Sequence, residues 1–122
     1  MEVKIALKCE YKGHRISAKG VVSLDLKSDF SDLHKVIQLT QLLGNDILVR
    51  IRSEGQKPFT VGNFKIKQLQ VSSDGTSTIK MIGLSDFVNL NELNKIPFMA
   101  EDEIPLEALF KSQIEMEGEN EI

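Results

Sequence analysis

Apolar and polar residues alternate one by one over several segments of this chain, and this alternation constrains the fold more than any other feature of the sequence. In residues 2–11, every second residue from Val3 to Cys9 is apolar, and the residues between them are mostly charged. A period of two is that of a β-strand with one buried face. Segments of the same kind recur along the chain and predict five strands, at residues 2–11, 14–27, 46–53, 59–71 and 76–84.

One segment between the second and third strands has a helical period instead. Its apolar residues recur at spacings of three and four, they follow a run of N-cap residue types, and they stop before Gly44. These signals predict the main helix at residues 31–43. Two glycine-containing pairs predict tight turns: Lys12-Gly13 between the first two strands, and Asp74-Gly75 as a type I′ hairpin between the last two.

Short turns between neighbouring strands favour antiparallel pairing, and a single strong helix can cover one side of such a sheet. We therefore predict a β-rich α+β fold, in which a five-stranded antiparallel sheet is curled into a small barrel with one main helix. This binding domain spans residues 1–99, and an acidic, partly amphipathic tail spans residues 100–122. The chain has 122 residues, a length typical of one domain.

The charged residues are distributed unevenly between these two parts. Residues 1–99 carry 14 basic and 10 acidic residues, a net charge of +4, whereas residues 100–122 carry Lys111 and eight acidic residues, a net charge of −7. A basic body with an acidic tail is typical of nucleic-acid-binding proteins and of proteins that recruit partners through the tail. A globular domain whose tail only increases its solubility has the same charge pattern, and the sequence leaves both interpretations open.

The residue types that carry catalysis or bind cofactors do not form a recognisable pattern. Cys9, His14 and His34 lack metal-ligand spacing, and the sequence contains no P-loop, no Gly-x-Gly-x-x-Gly and no setting for a nucleophilic serine. We therefore expect a protein that is not an enzyme and that uses no cofactor or metal. The N-terminus lacks the apolar stretch of a signal peptide, and no apolar run approaches the roughly 18 residues of a membrane span, so we expect a cytoplasmic protein.

Basic residues fall on the outward phases of the predicted strands. Like charges directly opposed on a sheet repel by up to about 1 kcal/mol per pair, so a face of one sign indicates an anionic ligand. Lysines and arginines that only keep a solvated strand surface from aggregating are the alternative. The last three predicted strands carry the candidate ligand-binding cations Arg50, Arg52, Lys65, Lys67 and Lys80.

Aromatic residues could add base stacking to such a basic face, at about 1–3 kcal/mol per base. The chain has no Trp, one Tyr and six Phe. Tyr11 lies beside the Lys12-Gly13 turn, and Phe59 shares the nominal phase of Lys65, so these two are the candidate stacking residues. Phe87, at the start of a short helix predicted at about 85–94, is expected to pack in the core.

The tail carries a second candidate site. Apolar residues recur there at helical spacing on an acidic background, which predicts an amphipathic segment over residues 101–114 that could enter a groove on a partner protein. The candidate docking residues are Ile104, Leu106, Leu109 and Phe110. Residues 115–122 are predicted to be disordered.

Two features together resemble the small single-stranded-DNA-binding proteins that bacteriophages encode. The first is the basic, strand-rich body with one helix between strands, similar to an oligonucleotide-binding (OB) barrel. The second is Glu101-Asp102-Glu103-Ile104-Pro105-Leu106, which resembles the acidic tail of that family. In the family this tail ends in an Asp-rich run followed by Ile-Pro-Phe, and it recruits replication and recombination partners. Here sixteen residues follow Leu106, Leu replaces Phe, and only two predicted strands precede the helix, whereas an OB barrel has three.

The resemblance implies non-sequence-specific binding of single-stranded DNA in replication or recombination, by a homo-oligomer in the cytoplasm of the host cell. The cationic strand face would bind the strand, and the acidic tail would compete for that face or dock replication and recombination proteins. The alternative is a phage accessory protein or inhibitor that acts through residues 101–114, and a third possibility is a structural subunit of a larger assembly. The sequence does not distinguish DNA from RNA as the ligand.

Overall fold

The computed structural model describes residues 4–53, 55–101 and 106–112. Three α-helices occur in these residues: α1 (Leu33–Leu39), α2 (Leu90–Leu93) and α3 (Ile96–Glu101). None of these helices combines the length and the apolar character that a membrane-spanning helix requires. The described residues also form six strands: β1 (Lys4–Ile16), β2 (Val21–Ser28), β3 (Ile47–Ser53), β4 (Phe59–Val71), β5 (Ser77–Leu84) and β6 (Leu106–Ser112).

All six strands belong to one antiparallel sheet that closes on itself. The strand order is β1-β2-β5-β4-β3-β6, and β6 pairs back with β1, so the sheet is a closed barrel. Strands β3, β4 and β5 follow one another along the chain as neighbours, and β6 returns to lie beside β3, which is a Greek-key arrangement. Each strand therefore has a hydrogen-bonded neighbour on both sides.

The two longest strands, β1 and β4, each contribute to two different parts of this closed sheet. Residues 4–9 of β1 pair with β6, and residues 9–16 pair with β2. Residues 59–64 of β4 pair with β3, and residues 65–71 pair with β5. The closed sheet therefore has two walls, which we name the β2–β5 wall and the β3–β6 wall after the strands at their centres.

Single extra residues mark the irregular points of β1 and β4. The pairing register shifts at Lys12 in β1, and at Val61 and Lys67 in β4, so that each of these residues has no partner of its own. A bulge of this kind bends a strand and increases its twist. The bulges at Lys12 and Lys67 lie close to the points at which β1 and β4 pass from one wall to the other.

The alternation of apolar residues builds one core inside the closed sheet, as the sequence predicts. Ile5, Leu7 and Cys9 of β1 face inward and are buried, and every other strand contributes buried residues at the same period. The helical segments add side chains to this core. The largest fully buried side chains are Leu7, Leu24, Leu26, Leu39, Leu42, Ile47, Ile51, Phe64, Ile79, Met81, Leu93 and Phe110.

The prediction of a β-rich antiparallel fold is confirmed, but the predicted number of five strands is wrong. The sixth strand, β6, lies in the segment that the sequence predicts to be a helical docking stripe within a tail. Its residues alternate between buried and half-buried from Leu106 to Ser112, and it pairs with both β1 and β3. The closed sheet therefore extends past residue 99, where the charge pattern places the end of the domain.

Two predicted turns differ from those in the structure. Lys12-Gly13 is not a turn, because β1 continues to Ile16, and the chain reverses instead at residues 17–20, where Gly20 has a φ of 80°. The hairpin at Asp74-Gly75 is confirmed, but it is not a type I′ turn. Ser72 N–H donates to the carbonyl of Thr76, and Gly75 N–H donates to that of Ser72, which defines a three-residue loop with Gly75 in a left-handed conformation.

The helical segments are shorter than predicted. Only Leu33–Leu39 of the predicted helix at 31–43 is α-helical, and 3₁₀ turns flank it at residues 30–32 and 40–42. The helix predicted at 85–94 is divided into a 3₁₀ turn at residues 85–87 and the single-turn helix α2.

Gly62 allows the segment after β5 to lie directly against β4. Asn89 N–H donates to the carbonyl of Val61 at 2.7 Å, and Val88 forms a β-bridge with Gly62. Gly62 has a φ of 145°, and a Cβ at this position would lie 2.5 Å from the carbonyl oxygen of Phe87. Only glycine fits this contact, which fixes the backbone of Phe87 beside β4.

Small polar residues form one inward row of the sheet. Cys9 lies opposite Ser28, and Ser28 lies opposite Ser77. The hydroxyls of both serines are buried and have no hydrogen-bond partner among the described residues. Burial removes the hydration that a Cys9 thiolate would need, and it raises the pKa of this thiol from 9.0 to about 12.

This pKa shift predicts a loss of stability in alkali. The unfolded chain releases the Cys9 proton near pH 9, whereas the folded chain keeps it until about pH 12. The unfolded state then binds fewer protons, so this residue lowers the free energy of unfolding by up to about 1.4 kcal/mol per pH unit within that window. Between pH 8.5 and 10.5, the free energy of unfolding measured with urea should decline less steeply with pH for Cys9→Ala than for the wild type. Parallel declines would contradict the predicted effect of burial.

The position of β6 predicts that the chain folds only when this strand is present. A chain that ends at residue 105 loses the buried side chains of Leu106, Ala108 and Phe110 and leaves β1 and β3 unpaired on one side. Loss of one buried Phe side chain alone costs about 3–5 kcal/mol, and a small domain has only about 5–15 kcal/mol of stability. For the chain that ends at residue 105, we expect thermal denaturation followed by circular dichroism to show no cooperative transition. A chain that ends at Ser112 is the control and should unfold cooperatively.

Candidate nucleic-acid interface

The five candidate cations do not lie on one surface. Arg50 and Arg52 are on the outer side of β3, in the β3–β6 wall. Lys65 and Lys67 are on the second half of β4, and Lys80 is on β5, in the β2–β5 wall. The structure therefore brings three of the five together and separates the two arginines from them.

Four lysines on adjacent strands form a patch on the outer side of the β2–β5 wall. Lys80 of β5 lies opposite Gln68 of β4, and the bulged Lys67 is next to Gln68 in the chain. Lys27 of β2 lies opposite Thr78, two positions from Lys80, so Lys27 and Lys80 are diagonal neighbours roughly 7–8 Å apart. We call Lys27, Lys65, Lys67 and Lys80 the lysine face.

Carboxylates lie near three of the four lysines of the lysine face, and only Lys65 forms an ion pair within the described residues. Lys65 Nζ lies 3.9 Å from Asp46 Oδ1, and both side chains are exposed, so this ion pair is weak. Lys27, Lys67 and Lys80 form no ion pair within the part of the chain that the structure describes.

Asp25 nevertheless lies directly opposite Lys80 on the outward phase. Lys27 contributes, after the hydrogen bonds from Thr76, to the lowered pKa of the Asp74 carboxyl. An external anion would therefore compete with these two carboxylates for Lys80 and Lys27.

Apolar side chains continue the same wall beyond the lysines. Val21 lies opposite Leu84, and Ser23 lies opposite Ile82, at the end of the wall nearest the turn at residues 17–20. Leu84 is 56% exposed, and Phe87, in the 3₁₀ turn that follows it, is 59% exposed. We call Ile82, Leu84 and Phe87 the apolar end of the wall.

The prediction that Phe87 packs in the core is wrong. Its backbone is fixed against Gly62, and its ring is exposed to solvent. The sequence offers one weak signal for this, because Phe87 follows Ser85-Asp86 rather than falling on an apolar period.

The two predicted stacking residues lie elsewhere. Phe59 pairs with Ile51 on the inward phase of the β3–β6 wall and is half-buried against the core. Tyr11 pairs with Leu26 on the inward phase of β1, and its hydroxyl lies 2.6 Å from His14 Nδ1. Partial burial raises the pKa of the Tyr11 hydroxyl. Neither ring lies on the outward phase that carries the lysine face.

The two arginines belong to a second basic patch, on the outer side of the β3–β6 wall. Three cross-strand rows define it, and β6 is the middle strand in each of them. We call its cations Lys4, Lys8, Arg50, Arg52 and Lys111 the arginine face. The rows are Lys4–Lys111–Leu48, Ala6–Leu109–Arg50 and Lys8–Glu107–Arg52.

Glu107 is the one acidic residue in these nine positions. Arg52 Nε donates to Glu107 Oε1 at 2.7 Å, which orients both side chains. The side chains of Lys8 and Arg50 form no ion pair among the described residues. Sequence reasoning missed the part that β6 plays here, because it assigned Lys111 to the tail.

The four predicted docking residues do not form a surface stripe. Leu106 and Phe110 are 3% and 1% exposed and belong to the core, whereas Leu109 points outward between Ala6 and Arg50. Ile104 lies outside the described residues. The spacing that predicts a helix thus combines residues from both faces of a strand. The predicted docking stripe is therefore not supported.

Within the described residues, no three His, Cys, Asp or Glu side chains are grouped so that they could hold a metal ion. No protein-family model matches this sequence, and a search of curated proteins found no significant match. The two basic faces and the apolar end of the β2–β5 wall are therefore the observations on which a functional assignment depends.

Proposed function

We propose that this protein binds single-stranded nucleic acid, without sequence specificity, through the lysine face of the β2–β5 wall. One observation carries this proposal. Lys27, Lys67 and Lys80 lie close together on three adjacent strands and form no ion pair in the described part of the chain, although Asp25 lies opposite Lys80 and Asp74 lies near Lys27.

The chemistry of these residues suits a phosphate chain better than a defined small anion. Lysine is a flexible point charge with three rotatable donors, so it binds phosphates without reading base edges. Contact with phosphates releases condensed counterions from the nucleic acid, which supplies most of the affinity of non-specific binding. The open outer surface of a sheet also allows a chain to continue past the site in both directions.

The apolar end of the wall favours a single strand over a duplex. Leu84 is exposed on β5 beyond Ile82, which pairs with Lys65, and Phe87 is exposed in the turn that follows β5, so unstacked bases could contact both. Stacking on an aromatic ring accepts any base, because every base has a π-face. The bases of a duplex are stacked on each other and do not offer those faces.

The closed antiparallel sheet supports a more specific form of the proposal, in which the protein is an OB-like single-stranded-DNA-binding protein that acts in replication or recombination. The Greek-key order and the shared strand β1 agree with such a barrel. The six strands, and the position of α1 between β2 and β3, differ from the five-stranded form. The alternative of a docking module at residues 101–114 is not favoured, because Leu106–Ser112 is a strand inside the sheet.

Lys67→Ala/Lys80→Ala tests the lysine face. If Lys27, Lys67 and Lys80 each neutralise one phosphate, log affinity for oligo-dT should fall with log salt at a slope near −2, at roughly −0.7 per phosphate. For the site on the lysine face, the double variant should reduce the slope to about −0.7 and weaken binding on the order of 50-fold at 50 mM salt. Fluorescence anisotropy of a labelled oligonucleotide at several salt concentrations measures both quantities.

Lys35→Ala/Lys57→Ala is the matched control, because it removes the same charge from α1 and from a loop. It should leave the slope and affinity close to those of the wild type. An equal loss in both double variants would mean that only net charge matters. Failure of the wild type to bind oligo-dT or oligo-U at low salt would overturn the proposal.

Phe87→Ala tests the apolar end of the wall separately. Loss of one stacked base costs about 1–3 kcal/mol, so we expect binding to weaken roughly 5- to 150-fold with no change in the salt slope. The fold should persist, because Gly62 contacts the backbone of Phe87 rather than its ring. Phe98→Ala, which removes a ring that is 69% exposed on α3, is the control and should bind like the wild type. Equal affinity of all three proteins would exclude Phe87 from the site.

A further inference from the structure

We propose that one chain holds two nucleic-acid segments at once, the first on the lysine face and the second on the arginine face. The inference rests on the proposed function, because it takes the ligand of the lysine face as given. It adds a second site and a further activity, the bridging of two strands.

The closed strand order places the two faces on opposite sides of the domain. In the ring β1-β2-β5-β4-β3-β6, the strand opposite β5 is β6, and the strand opposite β2 is β3. The lysine face lies on β2, β5 and β4 with β5 in the middle, and the arginine face lies on β1, β6 and β3 with β6 in the middle. Outward side chains on opposite strands of a closed sheet point away from each other, so the two faces lie on opposite sides of the domain.

The arginine face has the charge and the geometry that a phosphate chain requires. It has five cations and one acidic residue in nine outward positions. Glu107 is already bound to Arg52, which leaves Lys8 and Arg50 on either side of β6 without an ion pair among the described residues. A guanidinium can donate two parallel hydrogen bonds to one phosphate, so Arg50 is suited to anchor a strand.

Aliphatic side chains lie between these cations on the outer side of the β3–β6 wall. Leu109 lies between Ala6 and Arg50, and Leu48 lies next to Lys111. No exposed aromatic ring occurs in the nine positions. We therefore expect the second site to bind its strand through phosphate contacts alone. At equal affinity, binding at this site should depend more steeply on salt than binding at the lysine face.

The thickness of the domain keeps the two segments apart. Packed sheets lie about 10 Å apart, and long basic side chains extend outward from both walls. A short oligonucleotide laid along one face does not reach the other, so two short strands bind as separate molecules. Two complementary strands held on one chain would meet more often than they do free in solution.

Titration of the full-length chain with oligo-dT of six nucleotides tests the inference. At concentrations well above the dissociation constants and at low salt, we expect two oligonucleotides per chain. An equal mixture of donor- and acceptor-labelled oligonucleotides should show energy transfer in the complex. Light scattering at the same concentration gives the number of chains in the complex. A complex with two chains and one oligonucleotide on each would overturn the inference.

Lys8→Ala/Arg50→Ala should reduce the stoichiometry from two to one and remove the energy transfer. Its remaining site should bind within about twofold of the wild-type lysine face, because the Arg52–Glu107 pair and the sheet are left intact. Lys67→Ala/Lys80→Ala should retain one oligonucleotide, bound on the arginine face. Annealing of complementary 30-nucleotide strands should accelerate with the wild type and with neither double variant.

The outcomes separate the two proposals. One oligonucleotide per wild-type chain, lost in the lysine-face variant, would overturn bridging and leave the proposed function in place. No binding at either face would overturn both. Energy transfer that survives in Lys8→Ala/Arg50→Ala would exclude the arginine face. Saturation of that face by poly-glutamate but not by oligo-dT would assign it to an acidic protein and would also overturn the inference.

Discussion

Hydrogen bonding of β6 to β1 on one side and to β3 on the other closes the sheet, and the remaining features of the structure depend on that closure. Without β6 the order would begin at β1 and end at β3 as an open, strongly bent sheet with two unpaired edges. Unpaired edges expose backbone donors and acceptors and favour aggregation. The same strand supplies Phe110 to the core and Glu107 and Leu109 to the outer surface, so it links the stability of the domain to one of its two basic faces.

The division of the surface into two basic faces follows from the way β1 and β4 change partners. Each strand is 13 residues long, and each passes from one wall to the other near its middle. Cations that are close in the sequence are separated by this change: Arg50 and Arg52 are on one wall, and Lys65 and Lys67 are on the other. A flat sheet would present all of these charges to one side, with greater mutual repulsion. The closed sheet divides them instead between two outer surfaces.

The sequence predicts the inside of this protein better than its outside. The alternation of apolar residues correctly identifies five strands and most of the core, because burial on one face of a strand requires a period of two. The same reasoning fails at β6, where the outward Leu109 is apolar and completes a helical spacing with Leu106 and Phe110. It also fails at Lys12-Gly13, because a bulge and a turn use similar residues and differ only in the pairing of the residues that follow. Which cations share a surface depends on the order of strands around the ring, and no single strand contains that information.

The bulge at Lys67 has a consequence for how densely a strand can present polar groups. In a regular strand, inside and outside positions alternate strictly, so two ligand-contacting residues on one face are at least two positions apart. In β4 the alternation that places Phe64 and Ile66 inside ends at the bulge, and inward-facing positions resume at Leu69. Lys67 and Gln68 are thereby both outside, as consecutive residues, while the core on each side of them remains complete. One extra residue shifts the alternation of the strand by one position. Two consecutive side chains then project from the same face, which strict alternation does not allow.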